Sequence, residues 1–249
     1  AWGGVKITKN LWLDAGIFLS HIGLEGPISR DDLTLTRSIM ADNSPYYEAG
    51  AKLTYDAGRK WLFSVLSLNG WQVIRDRNQN EALGTQIQFR PSSKWLLNSS
   101  TYAGEGYNQP DSVGRQLRYF HNFYVTYDPS KKWKIAAAFD AGIQGRARSA
   151  GGHDAWQGAS LIVRRRLWER AGLVGRVEYF HDPAGVLAPT RAGGLNTVGY
   201  SLGFDYNPVP RVILRAEAKQ FVDKNEVYLD KQSPRRTNAA LTALMGLTF

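Results

Sequence analysis

The chain has 249 residues, 43% of them hydrophobic and 12% aromatic, with a formal net charge of +9 and a mean hydropathy of -0.36. The absence of cysteine excludes disulfide frameworks and thiolate metal sites, and no run approaches the roughly 18 uninterrupted apolar residues of a helical membrane span. The positive balance asks for an acidic partner, with nucleic acid, lipid phosphate and anionic solutes as candidates.

The opening, AWGGVKITKN, lacks a basic region followed by an apolar core and so is not a signal peptide. Trp2, Val5 and Ile7 mark a strand-like segment ending at Asn10. If it is a strand, the count below becomes odd and a partner upstream is expected. Alternating runs follow at residues 11–20, 46–55, 60–71, 81–90, 95–104 and 115–127. Others lie at 133–144, 154–167, 171–181, 195–206, 211–221 and 239–249, about twelve strands of transmembrane length.

Connection lengths alternate. Residues 56–59, 91–94, 128–132, 169–170 and 207–210 are short turns, whereas 21–45, 75–80, 105–114, 145–153, 182–194 and 222–237 are longer. Short turns on one rim and long loops on the other predict an all-β, antiparallel up-and-down transmembrane barrel with its long loops outside the cell. The sides of the strands agree. Trp133, Ile135, Ala137, Phe139, Ala141 and Ile143 oppose Lys134, Asp140, Gly142 and Gln144, while Val212, Leu214, Ala216 and Ala218 oppose Arg211, Arg215, Glu217 and Lys219. Trp61, Trp95, Trp133, Trp168, Tyr55, Tyr127 and Tyr206 gather beside the short turns, as an interfacial girdle would. His121 fits poorly, sharing a face with Leu117, Tyr119, Phe123 and Val125. Residues 1–249 read as a single domain, and a larger barrel stays open.

Two resemblances sharpen this. The last run ends on Phe249, similar to the closing strand of outer-membrane barrels. In the first third, Ala15-Gly16-Ile17-Phe18, Ile22-Gly23-Leu24-Glu25, Thr36-Arg37-Ser38, Pro45-Tyr46-Tyr47, Gly50-Ala51-Lys52-Leu53-Thr54-Tyr55 and Leu68-Asn69-Gly70-Trp71 together resemble the β-barrel porin-2 family. The resemblance implies a bacterial outer-membrane porin; beyond about Gly84 it persists only in strand rhythm and the "FDYNP" turn.

On the face expected to line the pore sit Lys52, Arg90, Arg118, Lys134, Asp140, Arg164, Arg176, Glu178, Asp205, Arg215, Glu217 and Lys219. Their modest positive excess suits passive diffusion of small hydrophilic solutes or ions with a mild anion preference. The alternative is that these charges pair across strands and close the lumen, leaving a scaffold or a subunit of a larger complex. The 21–45 loop carries Glu25, Arg30, Asp31, Asp32 and Arg37 and is expected to fold into the mouth and narrow it. Lys224, Lys231, Arg235, Arg236, Arg146 and Arg148 mark the long-loop rim as a place for lipopolysaccharide phosphates. A homo-oligomer or a membrane-protein partner stays open. No nucleic-acid motif appears, and His21, His121, His153 and His181 stand apart from any nucleophile motif, so neither catalysis nor a cofactor is expected.

Overall fold

The computed structural model describes residues 1–75, 80–106, 116–146, 151–230 and 233–247. Arg148, Lys231 and Phe249, singled out above, lie outside these, as does the first residue of the 115–127 run. The elements are β1 (Trp2–Thr8), β2 (Leu11–Leu19), α1 (Ile39–Asp42), β3 (Tyr47–Asp56), β4 (Trp61–Leu68), β5 (Ala82–Phe89), β6 (Trp95–Glu105), β7 (Leu117–Ser130) and β8 (Trp133–Gly145). They continue with β9 (His153–Trp168), β10 (Ala171–Asp182), β11 (Leu195–Tyr206), β12 (Val212–Asp223), β13 (Tyr228–Asp230), β14 (Ser233–Arg235) and β15 (Thr237–Leu247). Every one of the twelve expected strands is present, and the Trp2 segment is indeed a further strand, paired antiparallel with β2. The hydrogen-bonded order is β1 through β12 followed by β15, 13 strands each beside its neighbour in sequence, while β13 and β14 form a separate hairpin. No helix among the described residues is long and apolar enough to cross a membrane, which leaves strands to do so.

Two compact units make up the chain: Ala1–Gly23, Ser44–Val125 and Asp140–Trp156 in the first, and Leu24–Asn43, Thr126–Phe139 and Gln157–Phe249 in the second. In the first, glycines of the family-like motifs permit close strand approach. Gly50 has φ 150°, and a Cβ there would lie 2.1 Å from the Ser67 carbonyl oxygen; at Gly16, φ 120°, it would lie 2.6 Å from that of Ala1.

Burial is inverted relative to a water-soluble protein. Along β11, Thr197, Gly199, Ser201, Gly203 and Asp205 are buried, while Val198, Tyr200, Leu202 and Phe204 are exposed. On β7, Arg118 and Asn122 are buried between exposed Leu117, Tyr119, His121 and Phe123. Apolar side chains outward and polar side chains inward is the arrangement that a hydrocarbon solvent selects. Exposed His121 is accommodated by a 2.9 Å hydrogen bond between its Nε2 and the Ser99 hydroxyl on β6. Trp61, Trp95, Trp133 and Trp168 are exposed at strand ends beside the short turns. Trp61 stacks on Phe89 at 4.1 Å, and the Arg165 guanidinium lies 5.2 Å from the Trp133 ring.

Candidate functional site

The second unit holds a segment packed back onto its own strands. Residues 24–43 lie against the inward faces of β10 and β12, and Leu24 and Leu33 pack on Ala136, Ile162 and Val174. Glu25 staples the two ends of this segment together. Its carboxylate accepts from the Ser38 backbone N–H at 3.1 and 3.2 Å, from the Ser38 hydroxyl, and from the Thr34 hydroxyl at 3.2 Å. Ser38 in turn caps α1, accepting from the Ala41 N–H at 3.2 Å. Met40 follows and packs beside Gly158, where a Cβ would come within 3.2 Å of it.

Arg176 of β10 fixes the stapled segment to the wall. Its Nε donates to Glu178 at 2.9 Å and its Nη2 to Glu217 at 3.3 Å, both on inward faces of the sheet. Its Nη1 donates to Glu25 at 3.1 Å, the Thr34 hydroxyl at 2.8 Å and the Thr36 carbonyl at 2.6 Å. The second oxygens of the two wall carboxylates also reach the segment: Glu178 accepts from the Ile39 N–H at 2.5 Å and Glu217 from the Thr36 N–H at 2.7 Å. A planar fork with five fixed donors serves acceptors in several directions, which a point charge cannot do. The Arg176, Glu178 and Glu217 side chains are all 0% exposed.

Arg215 of β12 repeats the device on residues 29–33. It pairs with Asp205 at 2.8 Å and donates to the carbonyls of Ser29 and Leu33, the latter at 2.9 Å. Asp205 also receives Arg164 at 2.8 Å, and Lys219 donates to the Arg37 carbonyl at 2.8 Å. Asp32 accepts the Gly26 N–H at 2.8 Å. Burial pushes its carboxyl up to about 6 from 3.8, reinforced by nearby Glu25 and opposed by the Gly26 N–H, Arg37 and Arg215. Arg30 is exposed, and Arg37 donates to the Ala41 carbonyl and lies 3.8 Å from Asp42.

The first unit holds its polar residues differently. The His21 imidazole lies between a Glu48 oxygen, 2.7 Å from Nδ1, and the Thr101 carbonyl, 2.9 Å from Nε2. The His21 carbonyl accepts from Gln86 at 3.0 Å and from the Ser100 hydroxyl at 2.7 Å, and Asn122 bridges the Gly23 N–H to Asp140. Arg118 lies 4.6 Å from the Trp71 ring and 5.3 Å from the Trp156 ring, and its Nε and Nη2 donate to the Gln144 amide oxygen at 2.8 and 2.6 Å.

Of the residues expected to line a pore, Arg164, Arg176, Glu178, Asp205, Arg215, Glu217 and Lys219 therefore converge on the 24–43 segment in one unit. Arg118 and Asp140 are buried inward in the other, where half-buried Lys52 lies 3.5 Å from Asp14. Arg90 and Lys134 are exposed at strand ends beside short turns, Arg90 donating to Gln88 and Lys134 lying 3.8 Å from Asp128. Sequence reasoning missed α1, the β13–β14 hairpin and the anchoring role of Thr34, Thr36, Ser38 and His21. The Ser38 N-cap followed by Ile39, Met40 and Ala41 was a legible signal for the helix. Among the described residues no cluster of three or more His, Asp or Glu side chains is placed to hold a metal.

A family model described as "Putative beta-barrel porin-2, OmpL-like" matches residues 1–249. The chain belongs to that family. It is an outer-membrane β-barrel porin, a channel rather than an enzyme, located in the bacterial outer membrane and passing small solutes. No curated protein matches it. Among solved structures it is similar to a loop-deletion form of OmpT from Vibrio cholerae, at TM-score 0.65 and 12% identity over 98% of this chain and 77% of that one. An anion-selective porin from Comamonas acidovorans follows at TM-score 0.62, with 10% identity over 95% of this chain and 70% of that one. The outer membrane channel DcaP of Acinetobacter baumannii aligns at TM-score 0.58 and 10% identity, over 96% and 70% of the two chains. At these identities the likeness is one of fold, the transmembrane antiparallel barrel.

Proposed function

We propose that residues 1–249 act as one barrel domain conducting small hydrophilic solutes and ions with a mild anion preference, narrowed by the 24–43 segment. The observation that carries this reading is the Arg176 node, which ties that segment to the inward faces of β10 and β12 through Glu25, Glu178 and Glu217. A polypeptide stretch held on an inward wall reduces the cross-section open to solutes. The net charge of +9 favours anions, and a porin of the same fold from Comamonas acidovorans is anion-selective. Arg176 and Arg215 are engaged by carboxylates and carbonyls, as Arg164 and Lys52 are by Asp205 and Asp14, so the preference rests on exposed cations such as Arg30. Lipopolysaccharide phosphates are the proposed partners of cations on the long-loop rim.

A second reading, a closed lumen serving as a scaffold, is favoured by the completeness of the pairing around Arg176. Single-channel recording in a planar bilayer under a salt gradient separates the two. Stable current steps with an anion-leaning reversal potential, and a larger conductance after deletion of residues 30–43, are expected. Silence from a folded barrel would establish the scaffold, and unchanged conductance after the deletion would remove the constriction.

A further inference from the structure

On the outward face of the second unit the cross-strand register runs row by row from β9 to β15. The row Leu161–Val177–Tyr200–Gln220–Ala239 holds no charge. Two rows nearer the short turns comes Arg165–Leu173–Phe204–Ala216–Ala243, and Arg165 is its one charge. Arg165, Leu173 and Phe204 are exposed. Exposed Trp168 lies 6.4 Å from the Phe204 ring, which puts this row in the aromatic belt beside the short turns.

The Arg166 N–H donates to the Lys132 carbonyl at 2.7 Å, which sets Trp133 beside Arg165 across β8 and β9. The Arg165 guanidinium lies 5.2 Å from the Trp133 ring centre. A ring face attracts the cation through its quadrupole and leaves its N–H donors without an oxygen acceptor. Among the described residues the Arg165 side chain makes no hydrogen bond and no ion pair. Arg164, its neighbour on the inward face, is by contrast taken by Asp205 at 2.8 Å. The acids of this rim do not supply the missing partner: Asp128 lies 3.8 Å from Lys134, and exposed Glu169 is outnumbered by exposed Lys131, Lys132, Arg166 and Arg170.

We propose that Arg165, resting on Trp133, binds the phosphate of one anionic glycerophospholipid of the periplasmic leaflet, with the acyl chains lying over Leu173 and Phe204. In this row the solvent is lipid, and the anion that lipid carries is the headgroup phosphate. A guanidinium whose donors are free matches two phosphate oxygens at once. The short-turn rim is the periplasmic one in barrels of this fold. The surplus of cations on the adjoining turns favours a lipid of net negative charge over a zwitterionic one. An acidic periplasmic protein is the poorer occupant, because it would meet the turn cations and leave Arg165, on the lipid-facing row, without an anion.

Native mass spectrometry of the intact protein in mild detergent tests the assignment, with phosphatidylglycerol, phosphatidylethanolamine of the same acyl chains and water-soluble glycerol 3-phosphate as probes. The wild type is expected to retain one phosphatidylglycerol, at least tenfold more strongly than either of the others. Arg165→Gln is expected to weaken that retention at least tenfold and Trp133→Leu severalfold, both measured on barrels that stay compact in unheated electrophoresis. Arg211→Gln, on the turn between β11 and β12 and exposed on the same rim, should leave it unchanged. Single-channel conductance should be unchanged in all three variants, so loss of the pore function and loss of the lipid site are read separately. Equal retention of phosphatidylethanolamine or of glycerol 3-phosphate would overturn the proposal. So would undiminished retention in both Arg165→Gln and Trp133→Leu, or an equal drop in Arg211→Gln, which would make the attraction one of diffuse rim charge.

Discussion

Two buried arginines, Arg176 and Arg118, face inward from strands of the two units and are each about 1% exposed, yet they are held by opposite chemistry. Arg176 is surrounded by Glu25, Glu178 and Glu217 and ties a remote stretch of chain to the sheet. Arg118 lies against the faces of Trp71 and Trp156 and meets the Gln144 amide. The contrast teaches what each does. Carboxylates with unused lone pairs can recruit backbone N–H groups of a second segment, as Glu178 and Glu217 do at Ile39 and Thr36. Indole faces have no such capacity, so Arg118 is held by stacking between Trp71, in the connection from β4 to β5, and Trp156 of β9. Removal should therefore matter more at Arg176, because Arg176→Met leaves three carboxylates buried around a missing cation. We expect a loss of about 3–5 kcal/mol in urea unfolding from vesicles, with release of residues 34–39 seen as lost amide protection. Arg176→Lys should recover only part of this, since an ammonium cannot reach all of the acceptors. Intact protection at Thr36 and Ile39 in Arg176→Met would show that apolar packing by Leu33 and Met40 is the anchor instead.

The next effect lies in the same region and distinguishes it by pH. Asp32 faces Glu25, Arg37 and Arg215, and its carboxyl is raised to about 6 in the folded chain from an ordinary 3.8. A raised acid means that the docked segment binds more protons than a released one between those values. Docking should strengthen as pH falls through about 6, level off below about 3.8, and lose this contribution above 6. The whole span is worth at most ~3 kcal/mol. Hydrogen exchange at the Gly26 amide, corrected for its intrinsic rate, should show protection rising from pH 7 to pH 4, and Asp32→Asn should flatten the profile. A flat wild-type profile would place Asp32 in water rather than under the segment.

How much of this was legible in the sequence differs between the regions for a physical reason. Strand alternation is a local, period-two property, so the twelve strands, the inverted faces and the short-turn aromatics were readable from residue spacing. The inward assignment of Arg118, Arg176, Arg215 and Glu217 followed from parity alone. Their partners did not, because Thr36 and Arg176 are 140 residues apart and meet only once the sheet exists. Arg176 and Arg215 looked like free charges for solutes, but the segment's carbonyls and Glu25 occupy them. His21 looked isolated for the same reason, its ring partners lying 27 and 80 residues downstream.

Arg118 supplies the third test. In Arg118→Met the flexible thioether fills the volume between Trp71 and Trp156 and keeps contact with both indole faces. The expected cost is about 2 kcal/mol, the value of a desolvated cation on an aromatic face. It should register as a lower melting temperature and altered tryptophan emission, with amide protection at Thr36 and Ile39 unchanged. If that protection fell as it does in Arg176→Met, the two arginines would belong to one cooperative network and the contrast between them would fail.

The smallest effect probes how tightly the first unit holds His21. Gly84 on β5 lies under the imidazole, and a Cβ there would stand 2.9 Å from both Cε1 and Nε2 of the ring and 3.3 Å from the Leu66 Cβ. An unanchored side chain would swing aside at little cost. His21 is anchored at both ring nitrogens, by Glu48 and by the Thr101 carbonyl, so it can yield only by stretching one of those bonds. Gly84→Ala should therefore destabilise the fold by about 1 kcal/mol, at the lower end of overpacking costs. The double variant with His21→Ala separates the causes. Removing the ring removes the closest clash and leaves only the 3.3 Å contact with Leu66, so the alanine at position 84 should cost much less once His21 is gone. An undiminished penalty in the double variant would mean that the strain lies in β5 itself, and that the His21 hook is looser than its hydrogen bonds imply.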